Sequence, residues 1–296
     1  MNGVVNIYKE AGYTSFDVVA KMRGILKTKK IGHTGTLDPD AVGVLPVCVG
    51  NGTKLVDMLT DHDKEYIAEM LLGVATDTQD ISGKVLHSNE VKVEEAALRQ
   101  VIQSFVGECM QIPPMYSALK VNGQKLCDLA RAGREVERKP RPVMFHEIEI
   151  LSIDLPVVKL RVACSRGAYI RTLCNDIGEK LGCYATMKSL IRTKVGDFCI
   201  EDAVTLQELE EKRDAGQLES VLIGTDQLFP DLPQVCTKEE FVKYLDNGNT
   251  VTTKMLENPP FFQNGTEVRM YGCGRFYGIY KYITKEHRLK PVKMFL

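Results

Sequence analysis

The hydrophobic pattern of this chain switches repeatedly between a two-residue and a three-to-four-residue rhythm, which predicts short strands alternating with helices. Val4, Val5 and Ile7 mark a strand over Gly3 to Lys9, and Val44 to Val49 is an apolar run of strand length. Between them Thr14 or Ser15 caps a helix that places Phe16, Val19, Met22 and Leu26 on one face. A strand over Tyr66 to Val74 and a polar loop over Thr76 to Gly83 follow. The next helix, Val93 to Phe105, turns Ala97, Val101 and Phe105 to one side. Gln124 to Ala132 reads as a helix stopped by Gly133, and Tyr169 to Leu181 as a helix ending at Gly182. Phe145 to Ile153 and Val157 to Cys164 alternate as paired strands. A polar helical stretch, Thr205 to Glu219, leads to a boundary at Phe229-Pro230-Asp231-Leu232-Pro233. Beyond it lie an amphipathic helix, Lys238 to Leu245, and strands over Val268 to Tyr271 and Gly274 to Tyr282. The pattern predicts an α+β protein with one domain over 1–229 and a smaller one over 234–296.

One segment obeys neither rhythm. Gly32-His33-Thr34-Gly35-Thr36-Leu37-Asp38-Pro39 carries two glycines that open backbone angles closed to other residues, and a proline that biases Asp38 toward an extended conformation. Asp40-Ala41-Val42-Gly43 keeps the turn character before the apolar run resumes. A Gly-rich connection with an Asp turn residue has this composition, and so does a loop built to present His33 and Asp38.

The residues themselves resemble the catalytic motif of TruB-type tRNA pseudouridine synthases, and the resemblance extends through most of the chain. Gly12-Tyr13-Thr14-Ser15 is similar to that family's opening block, and Lys64-Glu65-Tyr66 with Thr76-Asp77-Thr78-Gln79-Asp80 and Gly83 to its second. Pro113-Pro114-Met115-Tyr116-Ser117-Ala118-Leu119-Lys120 and Ser165-Arg166-Gly167-Ala168-Tyr169-Ile170-Arg171 are similar to two more, in the family's order. Two positions depart from the pattern. Tyr8-Lys9-Glu10 stands where the family usually has Asp-Lys-Pro, and Leu190-Ile191-Arg192-Thr193 has Ile where some members carry a second Arg.

The resemblance implies a central mixed, largely antiparallel sheet flanked by helices, followed by a small PUA-like RNA-binding β domain. It implies an isomerase that converts uridine 55 in the TΨC loop of tRNA to pseudouridine, with Asp38 as the catalytic carboxylate. Whether Asp38 attacks the ribose, adds to the base or removes a ribose proton stays open. Arg171 is the matched cation beside it. A fixed cation would oppose the pKa rise that desolvation imposes on a carboxylate. Tyr169 would project to the same side as Arg171 if the segment is extended. Tyr66 and Tyr169 would flank the base, with a tyrosine hydroxyl as a candidate for handling the C5 proton. His33 would meet the RNA where the base leaves the stack, and Leu190 would form the apolar wall. Asp80 would support the Tyr66 side of the site or close an Asx turn.

Composition adds limits and one asymmetry. The net charge of −1 gives the chain as a whole no pull on nucleic acid, so RNA binding must rest on local clusters. Lys120, Lys125, Arg131, Arg134, Arg138, Lys139 and Arg141 face only three acidic residues across the segment from Lys120 to Arg141. With its flanks, from about 111 to 141, this segment reads as a basic insertion. A second basic stretch holds Lys281, Lys285, Arg288, Lys290 and Lys293. Nine cysteines, none in a Cys-x-x-Cys pair, read as free thiols of a reducing cytoplasm, with Cys48, Cys164 and Cys199 in apolar runs. The five histidines show no metal-ligand spacing, so neither metal nor cofactor is expected. Gly50-Asn51-Gly52-Thr53-Lys54 lacks the Gly-Lys-Ser/Thr ending of a phosphate loop. No run approaches the ~20 apolar residues of a membrane helix. The expected partner is tRNA, bound by a monomer without a guide RNA, since the guide-dependent relatives have basic tails and lack the insertion. A non-catalytic tRNA-folding protein on the same scaffold is the alternative.

Overall fold

The computed structural model describes residues 1–296. In chain order the strands are β1 (Gly3–Lys9), β2 (Ile31–His33), β3 (Val42–Val49), β4 (Lys64–Leu72), β5 (Val74–Thr76), β6 (Val85–Ser88), β7 (Gly107–Gln111), β8 (Lys120–Val121), β9 (Gln124–Lys125), β10 (Arg141–Asp154), β11 (Val157–Cys164), β12 (Ala185–Val195), β13 (Phe198–Cys199), β14 (Leu222–Ile223), β15 (Gln234–Thr237), β16 (Val251–Thr252), β17 (Glu267–Gly272), β18 (Arg275–Ile283) and β19 (Arg288–Met294). The helices are α1 (Ser15–Leu26), α2 (Val56–Thr60), α3 (Glu95–Gln103), α4 (Leu126–Arg131), α5 (Ile170–Leu181), α6 (Leu206–Asp214) and α7 (Val242–Asp246).

Strand β4 shows why the large sheet forms where it does. Its Lys64, Tyr66, Ala68, Met70 and Leu72 all point to one buried face, while Glu65, Ile67, Glu69 and Leu71 are partly open on the other. This strand sits between β11 and β12 in a sheet ordered β14-β1-β3-β12-β4-β11-β10-β7, with β2 added to β3 and β13 to β12. Every pairing in it is antiparallel except β3 with β12. The mixed, largely antiparallel sheet expected from the sequence is therefore present. Helices α3 and α5 close the face of β4, β10, β11 and β12, and α1 and α6 cover β1 and β3. The parallel β3–β12 contact needs Gly43: its φ is +105°, and an added Cβ would lie 2.2 Å from the Arg192 carbonyl oxygen.

The second sheet, ordered β15-β17-β18-β19-β16, builds its own core from Val268, Met270, Tyr280 and Leu289 with Leu245 of α7. It leans on the first sheet through Phe295, which packs near Phe229 and Phe276. Asn51 Nδ2 donates to the Phe295 carbonyl at 3.1 Å, and Lys54 Nζ to that of Leu296 at 3.2 Å. The glycine-flanked segment 50–54 that resembled a phosphate loop is thus where the chain end docks.

Several element boundaries differ from the sequence reading, among them the helix expected over Thr205 to Glu219, which ends at Asp214. Gln124 and Lys125 pair with β8, so α4 starts only at Leu126; a polar, β-paired entry replaced the expected first turn. The strand expected from Phe145 begins at Arg141, drawn out by pairing with β7. The helix expected from Lys238 opens as a 3-10 turn over Glu239–Phe241. Cys48 and Cys164 are buried as expected, but Cys199 at the end of β13 is half-exposed. No helix is long and apolar enough to cross a membrane.

Candidate active site

The loop between β2 and β3 is fixed from three sides before any ligand arrives. Thr14, not Ser15, caps α1 in a capping box with Asp17, which frees Ser15 to face inward. The Ser15 hydroxyl accepts from the Leu37 amide at 2.9 Å and lies 3.3 Å from the Leu37 carbonyl, to which it donates. Lys9, with none of its surface exposed, donates to the Pro39 carbonyl at 2.8 Å, and the Gly12 amide donates to the same oxygen at 3.0 Å. Arg192 donates to the carbonyls of Gly35 and Val44 at 3.3 and 2.7 Å. Gly35 has a φ of +131°, a conformation that a side chain would strain. Leu37 itself plugs into the core beside Tyr66. Asp38 is left projecting from a braced loop.

Arg171 receives it. The Arg171 side chain is only 5% exposed, and its Nε lies 3.0 Å from Asp38 Oδ2 while Nη2 lies 3.2 Å from Oδ1, a two-toothed grip. The remaining donors reach the Thr78 carbonyl at 2.9 Å and the Tyr116 carbonyl at 2.8 Å, with Asp80 Oδ2 at 3.6 Å from Nη1. One guanidinium thus joins the catalytic-motif loop, the 76–83 loop and the segment after Pro114. Arg171 is not in an extended run with Tyr169, as the sequence allowed: Tyr169 is the N-cap and Arg171 stands in the first turn of α5. The cap is held by Gln111, whose amide accepts from the Tyr169 N–H at 2.9 Å and donates to its carbonyl at 3.1 Å. Asp80 faces Arg171 rather than Tyr66, and it also closes its own turn through Thr78 and Ser82.

The electrostatics follow from burial. Asp38 keeps 37% of its side chain open, yet lies deep enough among protein atoms that desolvation pushes its pKa up, against the pull of Arg171. The cation moderates the rise without cancelling it. Burial also raises the Tyr66 and Tyr169 hydroxyls, and the Asp38 charge reaches both. His33 is pushed down by burial and by Arg192, and its Nδ1 accepts from the Gly35 amide at 3.3 Å. Leu190 pairs with Ala68, one same-face step from Tyr66, in the buried cluster that includes Leu37. Of the residues singled out in the sequence, Asp38 and Arg171 are in contact, the Asp38 charge reaches Tyr66 and Tyr169, and Leu190 shares a buried cluster with Tyr66, while His33 is tied to Gly35 and Arg192 rather than to Asp38. No three His, Cys, Asp or Glu side chains converge as a metal site requires.

The basic segment touches this site at one end, where the Arg141 charge reaches Tyr169, and otherwise faces solvent. Lys120, Arg131, Arg134, Lys139 and Arg141 are exposed, and Lys120, Lys125 and Arg134 border a shallow depression of about 440 Å³. Arg138 behaves differently: at 22% exposure it donates to the Pro113 carbonyl at 3.2 Å and pairs with Glu135, so it braces the segment. In the second sheet Lys281 and Lys290 are paired with Glu267 and Glu286. Three residues that matter here were not singled out: Lys9, Lys64 and Arg192, all buried. Their signal was a charge at an inward position of an otherwise apolar strand, since Arg192 lies two residues from Leu190 and Lys64 two from Tyr66.

A model of the TruB family pseudouridylate synthase N-terminal domain matches residues 23–170, and one of the tRNA pseudouridylate synthase B C-terminal domain matches residues 171–229. The chain is 51% identical to tRNA pseudouridine synthase B of Lachnoclostridium phytofermentans, over the whole of both chains. It is 48% identical to the protein of that name from Clostridium acetobutylicum, over 86% of this chain and 87% of the relative. Among solved structures, a Cbf5–Nop10–Gar1 complex contains a chain similar to it at a TM-score of 0.72 and 28% identity. That match covers 99% of this chain and 85% of the other. An H/ACA ribonucleoprotein bound to a substrate RNA containing 2′-deoxyuridine is similar at a TM-score of 0.71 and 26% identity, with the same coverage.

Proposed function

The chain belongs to the TruB family of pseudouridylate synthases, and we propose that it isomerises uridine to pseudouridine in tRNA, at position 55 of the TΨC loop. The reaction breaks the N-glycosidic bond, turns the base over, joins the ribose to C5 and releases the C5 proton. Asp38 is the catalytic carboxylate. The observation that carries this reading is the two-toothed grip of a nearly buried Arg171 on a partly open Asp38. Here the cation is enclosed and the carboxylate alone faces outward, which suits a group that must meet a substrate.

The target base has to leave the folded RNA loop to reach Asp38. Tyr66 and Tyr169 flank it, Leu190 gives the apolar wall, and His33 meets the RNA at the rim. The exposed basic side chains Lys120, Arg131, Arg134, Lys139 and Arg141 engage phosphates of the TΨC arm. Residues 234–296 act as a PUA-like RNA-binding domain following a catalytic domain over 1–229. The rearrangement consumes no oxidant, nucleotide or metal, and the protein acts in the cytoplasm as a monomer without a guide RNA.

Mapping pseudouridine in tRNA from a strain lacking this gene tests the reading directly. Uridine 55 should be unmodified there, restored by the wild-type gene and not by one encoding Asp38→Asn. Full modification of that position in the deletion strain would overturn the assignment, and restoration by the Asn variant would point to a non-catalytic tRNA-folding role.

A further inference from the structure

A charged side chain that none of these roles uses lies beside Tyr66, across the β4–β12 pair. Arg192 is 1% exposed, the largest fully buried side chain in the protein. Its Nε and Nη2 go to the carbonyls of Val44 and Gly35, and no carboxylate is among the groups acting on it. Interior guanidinium groups are costly without a counter-ion, and an apolar side chain of similar volume could fill such a site at no loss of stability. The ionisable group that acts on it is Tyr66. The two residues are direct cross-strand partners in the β4–β12 ladder, so their side chains leave the sheet on the same face.

The other charged and titratable groups facing this spot are Lys64 from β4, Lys9 from β1, His33 from β2, Cys164 from β11 and Asp38 from the loop. Lys9 and Lys64 are themselves brought down to about 8, chiefly by burial, with Arg192 adding to the effect. Neither lysine offsets the guanidinium, and each spends its ammonium on backbone carbonyls. The arrangement therefore keeps a cation beside the tyrosine hydroxyl, the Gly35 carbonyl of the loop and the Val44 carbonyl of β3.

We propose that Arg192 is a positioning residue for the isomerisation, holding the Tyr66 hydroxyl and the loop that carries Asp38 in one register. It links three pieces that the reaction needs aligned: the ring of Tyr66, the start of β3 at Val44, and the turn at Gly35 three residues before Asp38. The inference rests on the roles given above to Asp38 and Tyr66.

The test uses the full-length protein with Arg192→Lys, Arg192→Gln and Tyr66→Phe, alone and combined, and the single-turnover rate on tRNA at saturating enzyme. Arg192→Lys should cut that rate by about tenfold to a hundredfold, the range that misplacing a reacting group costs, with the tRNA dissociation constant within about twofold. In the Tyr66→Phe background the same change should cost severalfold less than in the wild type, because the partner hydroxyl is already gone and only the part carried through the Gly35 and Val44 carbonyls remains. Incorporated 3-fluorotyrosine, its residue-66 fluorine signal assigned by loss in Tyr66→Phe, should titrate at higher pH in Arg192→Gln, since a neighbouring cation has been removed. A full rate in both arginine variants, additive losses with Tyr66→Phe, or an unmoved titration would each overturn the proposal. Should Arg192→Gln not fold, Arg192→Lys carries the rate test alone, since it keeps the interior charge. If the wild-type protein left uridine 55 untouched, the functional reading would fail, while the fluorine titration would still report on Arg192 and Tyr66.

Discussion

Two loops in this molecule carry most of what the proposed reaction requires, and they are built in opposite ways. The segment from His33 to Ala41 has its backbone tied down by Ser15, Gly12, Lys9 and Arg192, and its one large apolar side chain, Leu37, sunk in the core. The insertion from Gln111 to Arg141 is held at its ends, by Gln111 on Tyr169 and by Tyr116 on Arg171, and in the middle by Leu126 and Leu129. Between those points most of its basic side chains are exposed to solvent, Arg138 excepted. Bond-making chemistry needs groups fixed before the substrate arrives, because alignment after binding must be drawn from binding energy. Phosphate binding needs charge at the right distance and tolerates motion. Rigidity is concentrated where a fraction of an ångström counts.

The sharpest way to break that comparison is to remove the reacting group from the rigid loop without disturbing its frame. Asp38→Asn keeps the size and the loop bonds, so it should lower the single-turnover rate by more than about 10³-fold, as loss of a nucleophile does, with tRNA affinity within about tenfold. Turnover above a few per cent of wild type would remove Asp38 from the chemistry.

Arg171 comes next. Arg171→Lys retains the charge but cannot hold both Asp38 oxygens together with the Thr78 and Tyr116 carbonyls, and we expect about a hundredfold loss in rate. Charge alone is read by pH. Because burial raises the Asp38 pKa, the protonated and inactive form prevails up to a higher pH than for an ordinary carboxylate. Activity should thus fall, as pH drops, on a limb lying above the usual carboxylate range. Arg171→Gln removes the cation that opposes the rise, so the limb should move further up. An acid limb in the same place for wild type and Arg171→Gln would show that this limb does not report Asp38.

How much of this was legible in the sequence differs between the two loops. Gly32 to Pro39 announced itself, because glycines and a proline around a carboxylate admit few backbone paths. The matched blocks then pointed to Arg171 and Tyr66. The braces were not legible as braces. Lys9 and Arg192 look like ordinary strand charges until the sheet order places β1, β3 and β12 side by side. Ser15 reads as an alternative cap until Thr14 takes that role. Such pairings span up to 157 positions of sequence, and no local periodicity encodes them. In the insertion the sequence counted charges correctly but could not tell that Arg138 is occupied with the Pro113 carbonyl.

A milder test of the rigid loop follows from Ser15. Ser15→Ala leaves the Leu37 amide buried without a partner, a cost of about 1–3 kcal/mol in stability. The same change loosens Asp38 at one remove. We expect about a tenfold loss in single-turnover rate with tRNA binding unchanged, measured alongside the denaturant midpoint. A loss of stability with a wild-type rate would mean that the remaining braces suffice.

The smallest effect on chemistry should come from the insertion, and there the comparison predicts the opposite split. Arg131, Arg134 and Lys139 are exposed and lie outside the active-site contacts, whereas Arg138 is a brace and should be left in place. Replacing those three with Ala should raise the tRNA dissociation constant. It should also flatten the dependence of log affinity on log salt by roughly one unit for each phosphate no longer neutralised, because neutralising a phosphate releases its counterion. The single-turnover rate at saturating tRNA should change by less than about threefold, since none of the three meets the base. Arg138→Ala should behave differently, lowering the rate as well as the affinity, because the strand of residues it props up ends on the Tyr116 carbonyl that Arg171 uses. If the triple variant bound tRNA with unchanged affinity and salt slope, the insertion would be a solvated charged surface. The division of labour between a rigid loop for chemistry and a loose one for RNA would then have to be drawn elsewhere, with the second sheet's Lys285, Arg288 and Lys293 as the next cations to remove.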